Sequence, residues 1–385
     1  MNVLLLVPEY TPAPGGIARS AARIAAGLVE RGARVLVVAK IQDPDAASAA
    51  APALERPRAG LTVVRIRTAL LHAAHWQREL GALYRHLDEH PPQLVHAMGS
   101  LSLGQQALVI GQRYGAPVVY GMRGSDVNAD ALHLVGRFET IARGAHAVTA
   151  VSPALAERAI QRCAALRRVT VIPNAVPPAP PRSGAAARRA LELSPGLPWI
   201  GARLMPRWNK GPARLGRVLA RLSRIATGPI GVCLFGAADD GWIADAWHAG
   251  GDAQARPFKH LGSVEAARIT GVLSGLDLLL MTSHYEGMPN LMLEALAVGT
   301  PVAATPAGGC RDVLDGSGAG LLLAWDEATA AEQIAALLAS DALPAMRERA
   351  RAHVLAHYTP QREAAAVYSL YRSLVAPAAC DAVAE

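Results

Sequence analysis

Unbroken apolar runs alternate along the chain with stretches in which apolar residues recur every three or four positions. The run at Asn2–Val7 is followed by a glycine pair, by a helically spaced segment at about Ile17–Arg31, and by a second apolar run at Arg34–Val38. Apolar runs without polar alternation are typical of parallel strands, because both of their faces are covered. The opening therefore predicts a strand, a helix and a second, parallel strand.

The same pattern continues through both halves of the chain. A proline-rich segment, Pro173–Pro181, interrupts it and indicates a linker, and a new α/β series follows. Near the end, Pro360–Val375 predicts a helix. The expected fold class is α/β, with two Rossmann-like, doubly wound domains at residues 1–182 and 183–358. The strands predicted after the opening unit are Leu61–Ile66, Leu94–His96, Val118–Tyr120, Ala147–Val151, Thr170–Ile172, Trp199–Ala202, Ile230–Phe235, Leu276–Met281, Val302–Ala304 and Gly320–Leu323.

Composition fits this picture of two large cores. The 385 residues are 51% hydrophobic and 18% charged, with a mean hydropathy of +0.20, which argues against a disordered chain. No C-x-x-C pair occurs, so the cysteines predict neither a zinc site nor a disulfide framework, and a reducing cytosol fits best. The cysteines are Cys163, Cys233, Cys310 and Cys380.

Membrane insertion is not expected from the sequence. Met1–Val7 is apolar but has no basic leader, so it indicates a first strand rather than a signal peptide. The most apolar later stretch, Gly271–Met281, contains Asp277 and is too short to cross a bilayer. We therefore expect a cytoplasmic protein.

The net charge of +7 is concentrated in the first half. Residues 1–182 carry 20 Lys and Arg against 12 Asp and Glu, whereas the remainder carries 18 against 19. A basic surface favours an anionic lipid surface, a phosphorylated acceptor or a nucleic acid, although an arginine-rich composition alone explains the surplus equally well. Aromatic residues are only 4% and no recognition motif occurs, so a nucleic-acid partner is not expected.

The most informative motif is the segment from Ser283 to Val302. An apolar strand ends just before it, its loop carries Glu286, Pro289 suits a first helical turn, and Glu294 follows within the helix. The free N–H groups of such a helix can bind a diphosphate, while Glu294 reaches a hydroxyl pair such as a ribose. Taken singly, the two acids could instead be a solvated loop acid and a helix acid that the dipole favours.

Further residues complement this anion site. Arg203 follows a strand, and Lys210 comes seven residues later at the start of a helix, so both can converge on one diphosphate. Gly15 and Gly16 lie between the first strand and the next helix, where backbone can approach a phosphate; a structural turn is an equal alternative. No Asp-x-Asp pair lies near these positions, so neither a metal nor a cofactor is expected.

These motifs resemble family four of the retaining glycosyltransferases, from Asn2 to about Val375. The resemblance implies the GT-B fold, in which two Rossmann-like domains face each other across a cleft, with the helix at 360–376 crossing back onto the first domain. It implies that Glu286 contacts the transferred sugar and Glu294 the ribose. The backbone around three residues would hold the phosphates, and these are Met288, Asn290 and Leu291.

The same resemblance assigns the remaining site residues. Gly16 matches the glycine near the diphosphate, Arg203 and Lys210 match the phosphate-binding pair, and Val264 matches the stretch that holds the base. One position departs from the family pattern, because Arg123 replaces a histidine before Gly124 and Asp126. Arg123 and Asp126 are expected at the acceptor or sugar, with the arginine suited to a phosphate or carboxylate.

The resulting functional hypothesis is transfer of a hexose-type sugar from a nucleoside diphosphate to an acceptor hydroxyl with retention of configuration. The acceptor is expected to be lipid-linked, which implies peripheral contact with the inner face of the membrane, or a small soluble molecule. The alternatives are a sugar-nucleotide epimerase of the same fold and a non-catalytic protein that binds anionic ligands. Nucleotide release that requires an acceptor would exclude an epimerase.

Overall fold

A computed structural model of the chain describes residues 1–13, 15–41, 54–67, 81, 83–128, 130–179, 184–236, 241–249 and 256–375. The chain divides into two compact units. The first comprises Met1–Asn174 and the segment that begins at Pro360, and the second comprises Ala175–Thr359. The division falls between Asn174 and Ala175, before the expected boundary at residue 182.

Each unit is built on one sheet. The strand order is β3-β4-β2-β1-β5-β6-β7-β8 in the first unit and β11-β10-β9-β12-β13-β14 in the second. Among the described strands, β3 alone pairs antiparallel with its neighbour. The strands are β1 (Asn2–Val7), β2 (Arg34–Ile41), β3 (Leu54–Arg58), β4 (Leu61–Arg67), β5 (Leu94–Met98), β6 (Val118–Met122), β7 (Ala147–Ala150), β8 (Thr170–Val171), β9 (Trp199–Arg203), β10 (Gly231–Phe235), β11 (Phe258–His260), β12 (Leu278–Met281), β13 (Val302–Ala304) and β14 (Gly320–Leu322).

Helices separate most consecutive strands, as parallel neighbours require. None of the described helices is both long and apolar enough to cross a membrane. The helices are α1 (Gly16–Val29), α2 (Leu101–Tyr114), α3 (Ser125–Asn128), α4 (Asp130–Gly144), α5 (Pro153–Arg162), α6 (Gly184–Ala190), α7 (Pro212–Ile225), α8 (Gly241–His248), α9 (Ile269–Ser274), α10 (Asn290–Ala297), α11 (Gly309–Leu314), α12 (Glu327–Leu338), α13 (Ala342–His357) and α14 (Pro360–Val375).

The predicted α/β architecture with two parallel-sheet domains is confirmed. The bounds of β1, β13 and α14 agree with the prediction, and α1 ends at Val29 instead of Arg31. Two strands, β3 and β11, were missed. All residues of β3 are exposed, and Pro57 interrupts it, as is common for an edge strand, so it has no apolar run to detect. The three residues of β11 are too few to carry a pattern.

The last helix, α14, belongs to the first unit and packs against α1. A Cβ atom on Gly27 would lie 2.4 Å from the Cβ of Ala364, so the glycine permits direct contact between the two helices. Beside this contact the Nη2 of Arg23 donates to Oε1 of Glu363 at 2.9 Å, and the Glu363 side chain is 2% exposed. Tyr371 is fully buried in the core beneath α1. Although α14 is far from α1 in the sequence, it therefore completes the core beneath that helix.

A buried hydrogen bond also ties α14 to the sheet. Tyr371 Oη lies 2.5 Å from Nδ1 of His96 on β5. Burial lowers the pKa of His96 to about 3, so the imidazole is neutral and cannot act as a cation at neutral pH. The same burial raises the pKa of Tyr371, which keeps its hydroxyl protonated.

Tyr371→Phe is therefore expected to lower the free energy of unfolding by about 1–3 kcal/mol, because it leaves a buried ring nitrogen of His96 without its partner. Urea unfolding of the purified protein measures the change. The matched control is Tyr368→Phe on the same helix, where a half-buried tyrosine loses its hydroxyl. Equal losses in the two variants would show that the bond to His96 contributes nothing specific.

Candidate active site

The second unit carries the acid motif on the loop between β12 and α10. β12 ends at Met281 with apolar, mostly buried residues, and α10 begins at Asn290 after Pro289, which occupies the N-cap position. Both acids are largely inaccessible: Glu286 in the loop and Glu294 in α10 are each 8% exposed. Burying a carboxylate is unfavourable unless it has compensating partners. The surroundings of the two acids therefore decide their chemistry.

Glu286 has two compensating partners on the same oxygen. Lys210 Nζ donates to its Oε1 at 2.6 Å, and Ser283 Oγ donates to the same atom at 2.7 Å. The lysine side chain is 28% exposed, so this ion pair lies at the boundary between the protein interior and solvent. A charge-assisted bond in such a place fixes the direction of both side chains. Glu286 and Lys210, predicted as separate ligands of a donor, are thus in direct contact.

Backbone contacts hold Lys210 in this position. β9 and β12 are adjacent, and after β9 the chain forms a 3₁₀ turn at Trp208–Lys210 that ends in Gly211 with a φ of 65°. A Cβ atom on Gly211 would lie only 2.0 Å from the carbonyl oxygen of Thr282, so only glycine allows this approach. Thr282 Oγ1 in turn donates to the Gly211 carbonyl at 3.0 Å. The turn that carries Lys210 and the loop that carries Glu286 are therefore held tightly together, and we call this pair of segments the corner.

Two further glycines, Gly308 and Gly309, pack against the loop that carries Glu286, and they were not predicted from the sequence. The N–H of Gly309 donates to the carbonyl of Gly287 at 3.0 Å. A Cβ atom on Gly308 would lie 2.2 Å from the carbonyl oxygen of Glu286, and one on Gly309 would lie 2.1 Å from that of Gly287. The two glycines lie between β13 and the first turn of α11, and Gly15 and Gly16 have the same position between β1 and α1. A glycine pair between a strand and a helix could therefore have been recognised in the sequence here as well.

Gly309→Ala is expected to displace the acid loop. The added methyl group would overlap the Gly287 carbonyl and lie 2.9 Å from the Cα of Met288, both backbone atoms that cannot rotate away. We expect the unfolding free energy to fall by about 1–3 kcal/mol, and the function of the acid loop to be impaired. Gly228→Ala is the control, because its Cβ would meet no atom within 4 Å. A Gly309 variant that matches this control in both measurements would contradict the packing argument.

The other predicted donor residues of the second unit lie at the end of β9, around the start of α10 and after β11. Arg203 is the exposed last residue of β9, in register with Phe235 of β10. Met288 is buried, with 5% of the residue exposed. Asn290 and Leu291 form the first turn of α10, and the N-cap residue, Pro289, makes no side-chain capping bond. Val264 lies apart, half-buried after β11.

Three aromatic residues lie together beside Lys210 and Glu286, and two of them, Trp208 and Tyr285, were not predicted from the sequence. Trp208 is 65% exposed, and its ring centroid lies 5.4 Å from that of Tyr285 and 5.8 Å from that of His284. Burial, together with Arg214 and Arg217, lowers the pKa of His284, so its ring is neutral at neutral pH. A large exposed ring beside a polar site is suited to stacking on a sugar or base.

In the first unit, Gly15 and Gly16 lie between β1 and α1, at the carboxyl end of the strand. Gly15 is the N-cap residue of α1, and Gly16 is exposed at its first position. The Glu9 carboxylate lies close to this helix start, because a Cβ atom on Gly15 would be 2.8 Å from Oε2 of Glu9. The approach of backbone to a phosphate at the start of this 14-residue helix stays a prediction.

Arg123 lies in the loop after β6, Asp126 lies in the short helix α3 that follows, and the two differ in exposure. Asp126 is 0% exposed, and its carboxylate accepts from the backbone N–H groups of Arg123 at 3.1 Å and Gly124 at 2.8 Å. Burial raises the pKa of Asp126. Arg123 is half-buried and donates to Asn174 Oδ1 at 2.8 Å. Burial lowers the pKa of Arg123 to about 10, which still leaves it charged. Asp126 therefore supports the loop, and Arg123 alone remains suited to a substrate.

The thiol of Cys310 lies directly behind the acid loop. Burial raises the pKa of this cysteine well above its ordinary value, and the nearby Glu286 carboxylate acts in the same direction. A protonated, inaccessible thiol is a poor nucleophile and a poor metal ligand. The cysteines within the described residues, Cys163, Cys233 and Cys310, are all buried and unpaired.

Two family models match the chain, one in each unit. Residues 14–179 match the model for Glycosyltransferase Family 4, and residues 196–340 match that for Glycosyl transferases group 1. Together they cover most of the chain, and the second includes the corner of Lys210 and Glu286.

Solved structures agree with the fold over nearly the whole chain. A sucrose-phosphate synthase from Thermosynechococcus elongatus has a TM-score of 0.79 at 18% identity, covering 97% of this chain and 98% of that one. HepE from Anabaena, solved with UDP and glucose, has a TM-score of 0.74 at 18% identity, covering 97% of this chain and 100% of that one. At such identities the likeness establishes the fold.

Curated relatives match over shorter segments. A D-inositol 3-phosphate glycosyltransferase from Corynebacterium jeikeium (strain K411) is 36% identical over 108 residues, which are 28% of this chain and 26% of that protein. The Vi polysaccharide biosynthesis protein VipC/TviE of Salmonella typhi is 44% identical over 50 residues, 13% of this chain and 9% of that protein. The chain thus aligns with about a quarter or less of their length.

Two parallel-sheet units, each matched by a glycosyltransferase family model, define a glycosyltransferase with the GT-B fold. Both family models describe glycosyltransferases, and the structural relatives have this fold. The chain belongs to the glycosyltransferases of the family-four type, as its motifs predicted.

Proposed function

We propose that the protein transfers a hexose-type sugar from a nucleoside diphosphate to an acceptor hydroxyl with retention of configuration. The observation that carries this proposal is the contact between Lys210 and Glu286, 2.6 Å long, beside the N-terminus of α10. It joins a cation suited to a diphosphate with a carboxylate suited to sugar hydroxyls. Such a pair supports a site at which a leaving phosphate and a sugar would meet.

The donor would be bound mainly by the second unit. Arg203, Lys210 and the backbone N–H groups at the start of α10 would hold the diphosphate, as cations and helix N-termini do. Buried Glu294 would accept from the ribose hydroxyls, and Val264 would line the base.

Retention is proposed to proceed on one face of the sugar. Retaining hydrolases use two carboxylates about 5 Å apart, one of them a nucleophile. Here Glu294 is assigned to the nucleotide, so the acceptor hydroxyl would attack from the side of the departing phosphate, which takes its proton. Glu286 would orient the sugar and stabilise the positive charge that develops on it. Arg203 and Lys210 would stabilise the leaving diphosphate without a metal.

The acceptor is proposed to be anionic and either lipid-linked or small and soluble. The basic surplus of residues 1–182 and the half-buried charge of Arg123 support a phosphate or carboxylate on the acceptor. The names of the two curated relatives, an inositol phosphate glycosyltransferase and a polysaccharide biosynthesis protein, are compatible with either form. A lipid-linked acceptor would place the enzyme at the inner face of the membrane.

A donor screen tests the proposal. Thermal shift is measured with the diphosphate sugars of uridine, guanosine, adenosine and thymidine, and a ligand that binds the folded protein raises its melting temperature. The expected result is stabilisation by one nucleotide class, with or without a chelator. NMR of the product made from that donor should show the anomeric configuration of the donor. An inverted product would contradict retention, and sugar isomerisation without an acceptor would indicate an epimerase.

A further inference from the structure

A groove of about 520 Å³ lies in the first unit, away from the residues assigned to the donor. Its lining includes Asn2, Arg34 and Leu61, the first residues of β1, β2 and β4. Gly15 and Gly16, in contrast, follow the carboxyl end of β1. Ligands of open parallel sheets bind at the carboxyl ends of the strands, so the groove is at the opposite edge from the expected substrate site.

The floor of the groove is apolar. Val3 and Val35 belong to the core beneath α1, and side chains alternate along a strand, so Leu4 and Leu36 face the other side of the sheet. Both line the groove, together with buried Leu87 from the helical residues 83–89. A volume of this size and an apolar floor are typical of small-molecule sites.

The rim of the groove is cationic. No carboxylate is among its described lining residues, whereas three arginines and two histidines are. The lining residues of this kind are Arg34, Arg56, Arg58, His86 and His90.

Two of the arginines are available to a ligand. Arg58 donates to the carbonyl of Ala26 on α1 at 2.6 Å and is thereby held in place. The guanidinium groups of Arg34 and Arg56 have no hydrogen-bond or ion-pair partner in the described part of the chain, and both residues are exposed. Burial and neighbouring His90 lower the pKa of His86, so at neutral pH the arginines carry the positive charge.

We propose that this groove is a second ligand site, which binds a small soluble organic phosphate with an apolar body. The planar guanidinium groups of Arg34 and Arg56 match phosphate oxygens with paired hydrogen bonds. The apolar body lies on Leu4, Leu36 and Leu87. A concave site of this volume favours a discrete small ligand over the flat surface of a membrane.

A divalent cation is the rival occupant. The ligand atoms of His86, Glu89 and His90 all lie within 4.8 Å of one another at the edge of the groove. The fixed charges of Arg34 and Arg56 disfavour a cation there, because like charges repel. The experiment therefore includes a metal.

Calorimetric titration of the full chain with hexyl phosphate, inorganic phosphate and hexanol tests the proposal. Hexyl phosphate should bind at least about tenfold more tightly than inorganic phosphate, because burying its methylene groups adds to the ionic contacts. Hexanol should give no measurable binding. Arg34→Gln and Arg56→Gln should each weaken hexyl phosphate about tenfold, which is the loss of one charge-assisted contact.

Arg85→Gln is the matched control. Arg85 is an exposed arginine next to His86 that does not line the groove, so its loss should leave the affinity for hexyl phosphate unchanged. Equal melting temperatures of the three variants without ligand would show that they fold alike.

Four results would overturn the proposal. Hexyl phosphate that binds no tighter than inorganic phosphate would show that the apolar floor is not used. An equal loss of hexyl phosphate affinity in Arg85→Gln would show that the ligand responds to the overall positive charge of this surface and not to Arg34 and Arg56. Zinc binding that is lost in His86→Ala, with no binding of hexyl phosphate, would make the groove a cation site. Sedimentation with phosphatidylglycerol vesicles that depends on Arg34, without hexyl phosphate binding, would make it a membrane contact.

Discussion

Replacing Glu286 with glutamine is expected to lower kcat by on the order of 10²–10³-fold while the Kd of the donor stays within about threefold. Glutamine has nearly the same size and still accepts a hydrogen bond from Ser283, so the loop should keep its shape. It lacks the negative charge that would stabilise the sugar as positive charge develops at its ring. Single-turnover kinetics and donor titration measure the two quantities separately.

The matched control for this variant is Glu332→Gln on α12 of the same unit, where an exposed carboxylate is removed. It should retain full activity. A Glu286 variant that remains within about threefold of the unmodified enzyme would reject the role of this residue. A loss of donor binding as large as the loss of kcat would instead assign Glu286 to binding.

Replacing Lys210 with methionine is expected to weaken donor binding by about 10–100-fold, which is the loss of one charge-assisted hydrogen bond to the diphosphate. The substitution also removes the cation that compensates buried Glu286. We therefore expect the unfolding free energy to fall by about 1–2 kcal/mol, a value lowered from that of a fully buried pair because Lys210 is partly exposed. Titration with nucleoside diphosphate and urea unfolding give the two values.

Two comparisons separate these effects. Lys259→Met removes a lysine whose partner, Glu192, is highly exposed, so it should change stability by less than about 0.5 kcal/mol. Introducing Lys210→Met into the Glu286→Gln variant should cost less stability than it does alone, since the charge that needs compensation is already gone. Additive losses would show that the two side chains do not interact energetically.

Local sequence was sufficient for the elements that depend on burial on both faces. The bounds of β1 and β13 could be predicted because a parallel strand that is covered on both faces has apolar side chains at nearly every position. An edge strand has no such requirement. β3 is exposed throughout and contains Pro57, and both features suit a strand at the edge of a sheet. The same features leave β3 without the apolar run by which a strand is recognised in a sequence.

The candidate site could be predicted only in part, because some of its contacts join residues that are far apart in the sequence. Glu286 and Glu294 lie in one continuous motif, and their position around a helix start follows from nearby proline and glycine. The bond from Lys210 to Glu286 joins residues 76 positions apart, and no pattern within either segment reports it. For Asp126, the sequence predicts an acid near a substrate, but the sheet buries it completely and directs its carboxylate to backbone N–H groups.

The sequence by itself determined that this protein has two parallel-sheet domains and an acid loop before a helix, because strand burial and helix initiation depend on neighbouring residues. Only the tertiary structure decided which polar side chains meet: Lys210 with Glu286, Arg123 with Asn174, and Tyr371 of the last helix with His96. A buried polar group takes its partner from whatever the packing brings within about 3 Å. That partner is set by the arrangement of strands and helices, which no local pattern encodes.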